Sequence, residues 1–138
     1  MKLSAMIFAV LATATSANAS ELIDITVDIS EQEMFVQTPD GQVLWTVSTG
    51  KEGHDTPVGE FRVQRMYKEH YSRKYDNAPM PHSIFFKDGY AIHGTWDVEN
   101  LGMPASRGCV RLDPVSAGLL FRTVEYYGME NTVIRVVP

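Results

Sequence analysis

Between residues 23 and 29 the chain alternates Ile23, Ile25, Val27 and Ile29 with Asp24, Thr26 and Asp28. Strict period two places the two sets on opposite faces of an extended backbone, so the segment predicts a strand with one buried face and argues against a helix. A short run from Glu33 to Gln37 follows a polar turn. Pro39-Asp40-Gly41 then supplies the positive φ angles of a tight hairpin, and Val43, Trp45 and Val47 alternate beyond it. Three strands in meander order commit the opening of the domain to a sheet.

Further along, Gly50 to Gly59 holds three glycines and Pro57 and predicts a loop, with a strand around Phe61 to Met66 after it. From Tyr67 to Pro81 periodicity gives way to charges, tyrosines and two prolines, the pattern of a long surface excursion and a candidate flap whose tyrosines and Met80 would touch a ligand. Ser83 to Phe86 and Tyr90 to His93 predict two strands joined by a Lys87-Asp88-Gly89 turn, with His93 at a strand end. Asp113 followed by Pro114 starts a helix, because Asp caps free amides and Pro suits the first helical position. Val115, Leu119, Leu120, Val124 and Tyr127 continue it at helical spacing and Gly128 ends it, before a last strand from Thr132 to Val137. The expected architecture is mainly β: a mixed β-sandwich or partly closed barrel with one main helix near 114–127. The site would sit at the ends of the strands that carry His93 and Cys109.

Before this domain, Lys2 precedes an apolar run from Met6 to Ala12, and small residues lead to Ala17-Asn18-Ala19, an A-x-A cleavage pattern. Residues 1–19 are therefore expected to be a signal peptide and 20–138 a single exported domain, periplasmic or at the cell wall. No later stretch approaches the ~18 apolar residues of a spanning helix, so stable membrane insertion is not expected. Without Lys2 the balance is 11 basic against 17 acidic residues. No global positive field exists to gather nucleic acid, and an anionic ligand must be met locally.

The local cations are Arg107 and Arg111, which flank Cys109, the one cysteine of the chain. A free thiol in an exported protein has no intramolecular partner, and His93 lies sixteen positions upstream. A cysteine and a histidine together suit acyl transfer, in which the thiolate attacks a carbonyl and the imidazole takes and returns the proton. A nearby imidazolium or positive field would lower the thiol's pKa towards neutrality. Gly108 would clear space for a substrate carbonyl, and adjacent backbone amides could hold an oxyanion. Residue types alone leave a second reading open: Cys109, ahead of Val110 and Leu112, suits a packed core position, and His93 a hydrogen-bonded strand end. A zinc site built from His54, His70, His82, His93 and Cys109 lacks the paired close spacings of zinc ligands.

Ile92-His93-Gly94 and Ser106-Arg107-Gly108-Cys109-Val110-Arg111-Leu112 resemble the two halves of the signature of the YkuD-type L,D-transpeptidases, also called the ErfK/YbiS/YcfS/YnhG family. Val27 to Gln32, Val47-Ser48-Thr49-Gly50 and Thr56-Pro57-Val58-Gly59 resemble the family's opening strands and its Thr-Pro-x-Gly loop. The resemblance implies an enzyme of peptidoglycan stem peptides. Cys109 would attack the carbonyl before the terminal D-alanine of a tetrapeptide, and an amine of a second stem would resolve the thioester into a 3-3 crosslink. It further implies His93 as base and then acid, oriented by the backbone around Gly94, with amides near Gly108 and Cys109 as oxyanion donors. Arg111 would line the site, Ser106 would shape the loop, and neither metal nor organic cofactor is implied. Many members carry histidine where this chain has Arg107, which stays charged and cannot shuttle a proton; an altered pocket is therefore expected. On the same acyl-enzyme, water, a free D-amino acid or an amine of an outer-membrane protein could replace the stem amine. A non-catalytic wall-binding module is the alternative of a different class.

Overall fold

Residues 21–138 are described in the structure, a computed structural model, and the signal peptide expected over 1–19 lies outside them. The opening meander forms as its alternation predicts: β1 (Ile23–Asp28), β2 (Glu33–Thr38) and β3 (Gly41–Thr46) pair antiparallel in succession. Ile23, Ile25 and Val27 point into the core while Asp24, Thr26 and Asp28 stay partly exposed.

The expected strand from Phe61 to Met66 is instead two. β4 (Gly59–Arg62) and β5 (Arg65–Tyr67) belong to different sheets, and Val63-Gln64 is the corner at which the chain crosses between them. The excursion after Tyr67 is shaped by β6 (Tyr71–Ser72), a 3₁₀ turn over Arg73–Tyr75, and β7 (Ala78–Pro79). Backbone bonds from Met80 N to His70 O (2.7 Å) and from His82 N to Lys68 O (2.8 Å) close its base. β8 (Ser83–Lys87) and β9 (Tyr90–Gly94) follow as a hairpin, then β10 (Val110–Leu112), α1 (Pro114–Tyr127) and β11 (Thr132–Val137).

One sheet has the order β3-β2-β1-β11-β4 and the other β10-β9-β8-β5. Each contains one parallel pair, β1 with β11 and β9 with β10, so both are mixed, and neither closes into a barrel. Ile25 lies opposite Ile134, and Val27 opposite Val136. These side chains share one core with Ile84, Phe86, Ile92, Val110 and Leu112 of the second sheet. Each large apolar side chain buried there contributes about 1.5–3 kcal/mol relative to exposure.

Asp113 caps α1 by accepting from the amides of Val115 (2.9 Å) and Ser116 (3.3 Å), and Gly128 ends it with φ 104°. The buried face differs from the expected one. Ala117, Leu120, Phe121 and Val124 enter the core, whereas Val115 and Leu119 are exposed. One residue advances a helix by about 100°, so the stripe through Leu120 and Val124, packed on β8 and β9, turns Val115 and Leu119 to the outside. No helix among the described residues is long and apolar enough to cross a membrane.

Candidate active site

Period two in the second sheet separates core from site. On β9 the side chain of Ile92 enters the core, and its neighbours Ala91 and His93 take the opposite face; on β10 Val110 and Leu112 enter the core and Arg111 takes the opposite face. Parallel pairing sets His93 beside Arg111, and Cys109 immediately precedes β10. Cys109 packs half-buried on this outer face against Met80, Phe85 and Ala91. The alternative of a cysteine inside the main core is thereby set aside. A cleft of about 1070 Å³ runs over this face, lined by His93, Cys109, Arg111, Ser106 and Arg107 and walled by the excursion through Tyr71, Tyr75 and Met80.

His93 is buried, and its Nδ1 lies 2.7 Å from the carbonyl oxygen of Gly94. A carbonyl only accepts, so the proton sits on Nδ1 and Nε2 carries the free lone pair. Burial pushes the imidazole pKa down to about 4, with Arg111 and His70 adding to the effect and the Gly94 bond opposing it. Gly94 is closely packed: a Cβ there would stand 3.2–3.3 Å from Ala117, Pro81 and Pro114, which would have to give way by a few tenths of an ångström.

The thiol of Cys109 is raised above its ordinary value, chiefly by burial, while a backbone hydrogen bond from Ala91 and the charge of Arg111 pull it down. Its sulfur approaches the carbonyl of Gly89 at 3.9 Å. The sequence suggested a thiol lowered by a nearby imidazolium. The structure gives the opposite, because the imidazole is too buried to charge at neutral pH and the thiol itself is partly desolvated. The resting pair is thiol and neutral imidazole.

The loop carrying Cys109 is held from within by Ser106, whose hydroxyl accepts from Gly108 N (3.0 Å) and donates to Cys109 O (2.6 Å). The Gly108 amide is thus already engaged, which removes it from the expected oxyanion donors. The backbone also calls for glycine at 108: its φ is +124° and a Cβ would lie 2.5 Å from the ring of Tyr90. Arg111 faces Asp97 at 3.9 Å. Arg107, the residue at the expected departure, lies 4.4 Å over the ring of Tyr75 and so ties the cysteine loop to the excursion.

A second layer of residues was not singled out for a role in the sequence. The backbone of residues 48–51 runs beside the cysteine loop, with Ser48 bonded to Arg111 and both Ser106 N and Ala105 N bonded to Thr49 O. Gln32 fixes this segment, accepting from Thr49 N (3.0 Å) and donating to Thr49 Oγ1 (2.6 Å). Thr56 joins Gly50 to Gly108. Their places in the stretches that resemble the family, Thr56 in Thr-Pro-x-Gly and Gln32 at the end of Val27 to Gln32, are the available signals, and neither discloses the partner across the fold. His54, His70 and His82 are not gathered around Cys109 as ligands: among the described residues no group of three or more His, Cys, Asp or Glu could hold a metal ion.

The sequence profile of the YkuD L,D-transpeptidase catalytic domain matches residues 23–136. The chain belongs to this family. It carries the family's catalytic domain from β1 to within β11. The candidate L,D-transpeptidase YqjB of Bacillus subtilis (strain 168) is 35% identical over 94 residues, which are 59% of this chain and 53% of YqjB. An L,D-transpeptidase from Mycobacterium smegmatis superposes with a TM-score of 0.74 at 18% identity, over 85% of this chain and 59% of that one. One from Stackebrandtia nassauensis gives 0.72 at 22% identity, over 91% and 62%. The fold of the YkuD domain is shared, and the chain spans little more than half the length of these relatives.

Proposed function

We propose that the domain is a cysteine-dependent L,D-transpeptidase of peptidoglycan stem tetrapeptides, working outside the cytoplasm after removal of residues 1–19. The observation that carries the proposal is the emergence of His93, Cys109 and Arg111 on one face of the β9/β10 pair, in the lining of a cleft of about 1070 Å³.

The neutral resting pair fits general-base activation. Nε2 of His93 takes the thiol proton as sulfur bonds to the carbonyl carbon preceding the terminal D-alanine, and the carbonyl electron pair moves onto oxygen. Collapse expels D-alanine, whose nitrogen receives the proton from His93, and leaves a thioester on Cys109. The amine of a second stem then attacks, His93 takes its proton, and the released sulfur is protonated again. Arg111 offers its charge to a substrate carboxylate, and the excursion through Tyr71 and Tyr75 forms the wall against which the stem lies. A water molecule, a D-amino acid or a protein amine can resolve the same thioester.

Intact-mass spectrometry after addition of a disaccharide-tetrapeptide tests the proposal. An adduct of the donor less D-alanine is expected on the wild type and absent from Cys109→Ala. Crosslinked dimers among the products assign transpeptidation, and tripeptides alone assign hydrolysis. Equal binding of peptidoglycan by both proteins with no adduct would make the domain a wall-binding module.

A further inference from the structure

Thr56 lies in the loop between β3 and β4, 53 positions before Cys109, and is 3% exposed. Its hydroxyl is 2.9 Å from Gly50 N and 2.8 Å from Gly108 O. The carbonyl can only accept, so the one hydroxyl proton goes to Gly108 O, and an oxygen lone pair receives the Gly50 N–H. Both partners are backbone groups, and the segment bearing Gly50 has no slack: the carbonyl of His54 fills the place of a Gly50 Cβ, at 1.8 Å. The hydroxyl therefore stands on a fixed base and holds the Gly108 carbonyl in one direction.

That direction has a consequence for the nucleophile. The Gly108–Cys109 peptide is trans, and in a trans peptide the C=O and the following N–H point opposite ways. Fixing Gly108 O on Thr56 thus aims Cys109 N–H away from Thr56. Around the sulfur, the Gly108 N–H is held by Ser106 and the Arg111 N–H by Ser48 O at 2.8 Å, while the Cys109 N–H has no hydrogen-bond partner among the described residues.

We infer that Thr56 is a positioning residue for acyl transfer: its hydroxyl holds the Gly108 carbonyl so that the unpartnered Cys109 amide is aimed at the oxyanion that forms when Cys109 attacks a carbonyl. The inference rests on Cys109 being an acyl-accepting nucleophile, and is otherwise independent of the stem peptide.

Two reactions of the same sulfur separate this role from a general structural one. With p-nitrophenyl acetate, His93 takes the thiol proton as sulfur bonds to the acetyl carbon, the carbonyl pair moves onto oxygen, and its return expels p-nitrophenolate to leave S-acetyl-Cys109. With iodoacetamide, sulfur displaces iodide at a methylene carbon and no oxyanion forms. Loss of one oxyanion donor costs about 10²–10³ in rate, and a misaimed donor should cost part of that. Thr56→Val, nearly isosteric, is expected to slow S-acetylation about 10- to 100-fold and to leave alkylation at the same pH within about twofold. Thr56→Ser, which keeps the hydroxyl, should stay near wild type in both. Thermal transitions verify folding, and Thr56→Ala makes the same comparison should the valine variant not fold.

Acetylation of a folded Thr56→Val or Thr56→Ala protein at the wild-type rate overturns the proposal, as does a matched fall of both reactions. Wild-type protein that alkylates at Cys109 but accepts no acetyl group overturns the acyl-transfer function itself, and the role of Thr56 with it.

Discussion

Burial of His93 makes stability depend on pH in a window that its own pKa defines. In the unfolded chain the ring titrates near the ordinary 6.5, and in the fold it is pushed down to about 4. Between these values the unfolded state binds more protons than the native state, so stability rises with pH there and is lost as pH falls. The difference in proton binding integrates to about 2 kcal/mol between pH 7 and pH 5. In urea that corresponds to a midpoint lower by roughly 1–2 M at pH 5, for a slope typical of small domains. His93→Gln is of similar size and has no proton to gain. Its stability should therefore change by about 2 kcal/mol less over the same interval. Asp28, whose carboxyl is held below 3.8 chiefly by the Ser30 hydroxyl, loses its contribution only under more acid conditions. Equal pH dependence of the wild type and His93→Gln between pH 7 and pH 5 would refute the buried, neutral imidazole and with it the general-base mechanism.

The raised thiol of Cys109 predicts that its alkylation by iodoacetamide climbs steadily through the alkaline range, and a rate plateau between pH 5 and 7 would reveal an imidazolium–thiolate pair instead. Asp113→Ala removes the acceptor for two amides at the start of α1 and should cost about 1 kcal/mol, read as a thermal transition lower by about 3–5 °C; an unchanged transition would show that the cap is replaced by water.

How much of this was legible beforehand follows from the range of each interaction. β1 to β3, the β8/β9 hairpin and both ends of α1 were readable because alternation, turn chemistry and capping act within a few residues. The split at Val63-Gln64 was not, since a run of strand-forming residues carries no mark of which sheet accepts each half. Val115 and Leu119 misled because spacing defines an apolar stripe while packing on β8 and β9 selects its edge. At the site, His93 and Cys109 stood out by residue type and by resemblance. The depth of the imidazole did not, nor did the engagement of Gly108 N–H by Ser106 or the reach of Thr56 across 52 residues, because these depend on the tertiary path of the chain.

The parallel seating of β11 between β1 and β4 has a bearing on how the molecule comes into being. β1 is synthesised first of all the strands and can find β2 at once, but its other edge stays bare until the residues from Thr132 onward have emerged. Contacts between segments so remote in sequence form slowly. The first sheet therefore keeps an open edge on β1 until the last of its strands has been made, and the core beneath it closes only then.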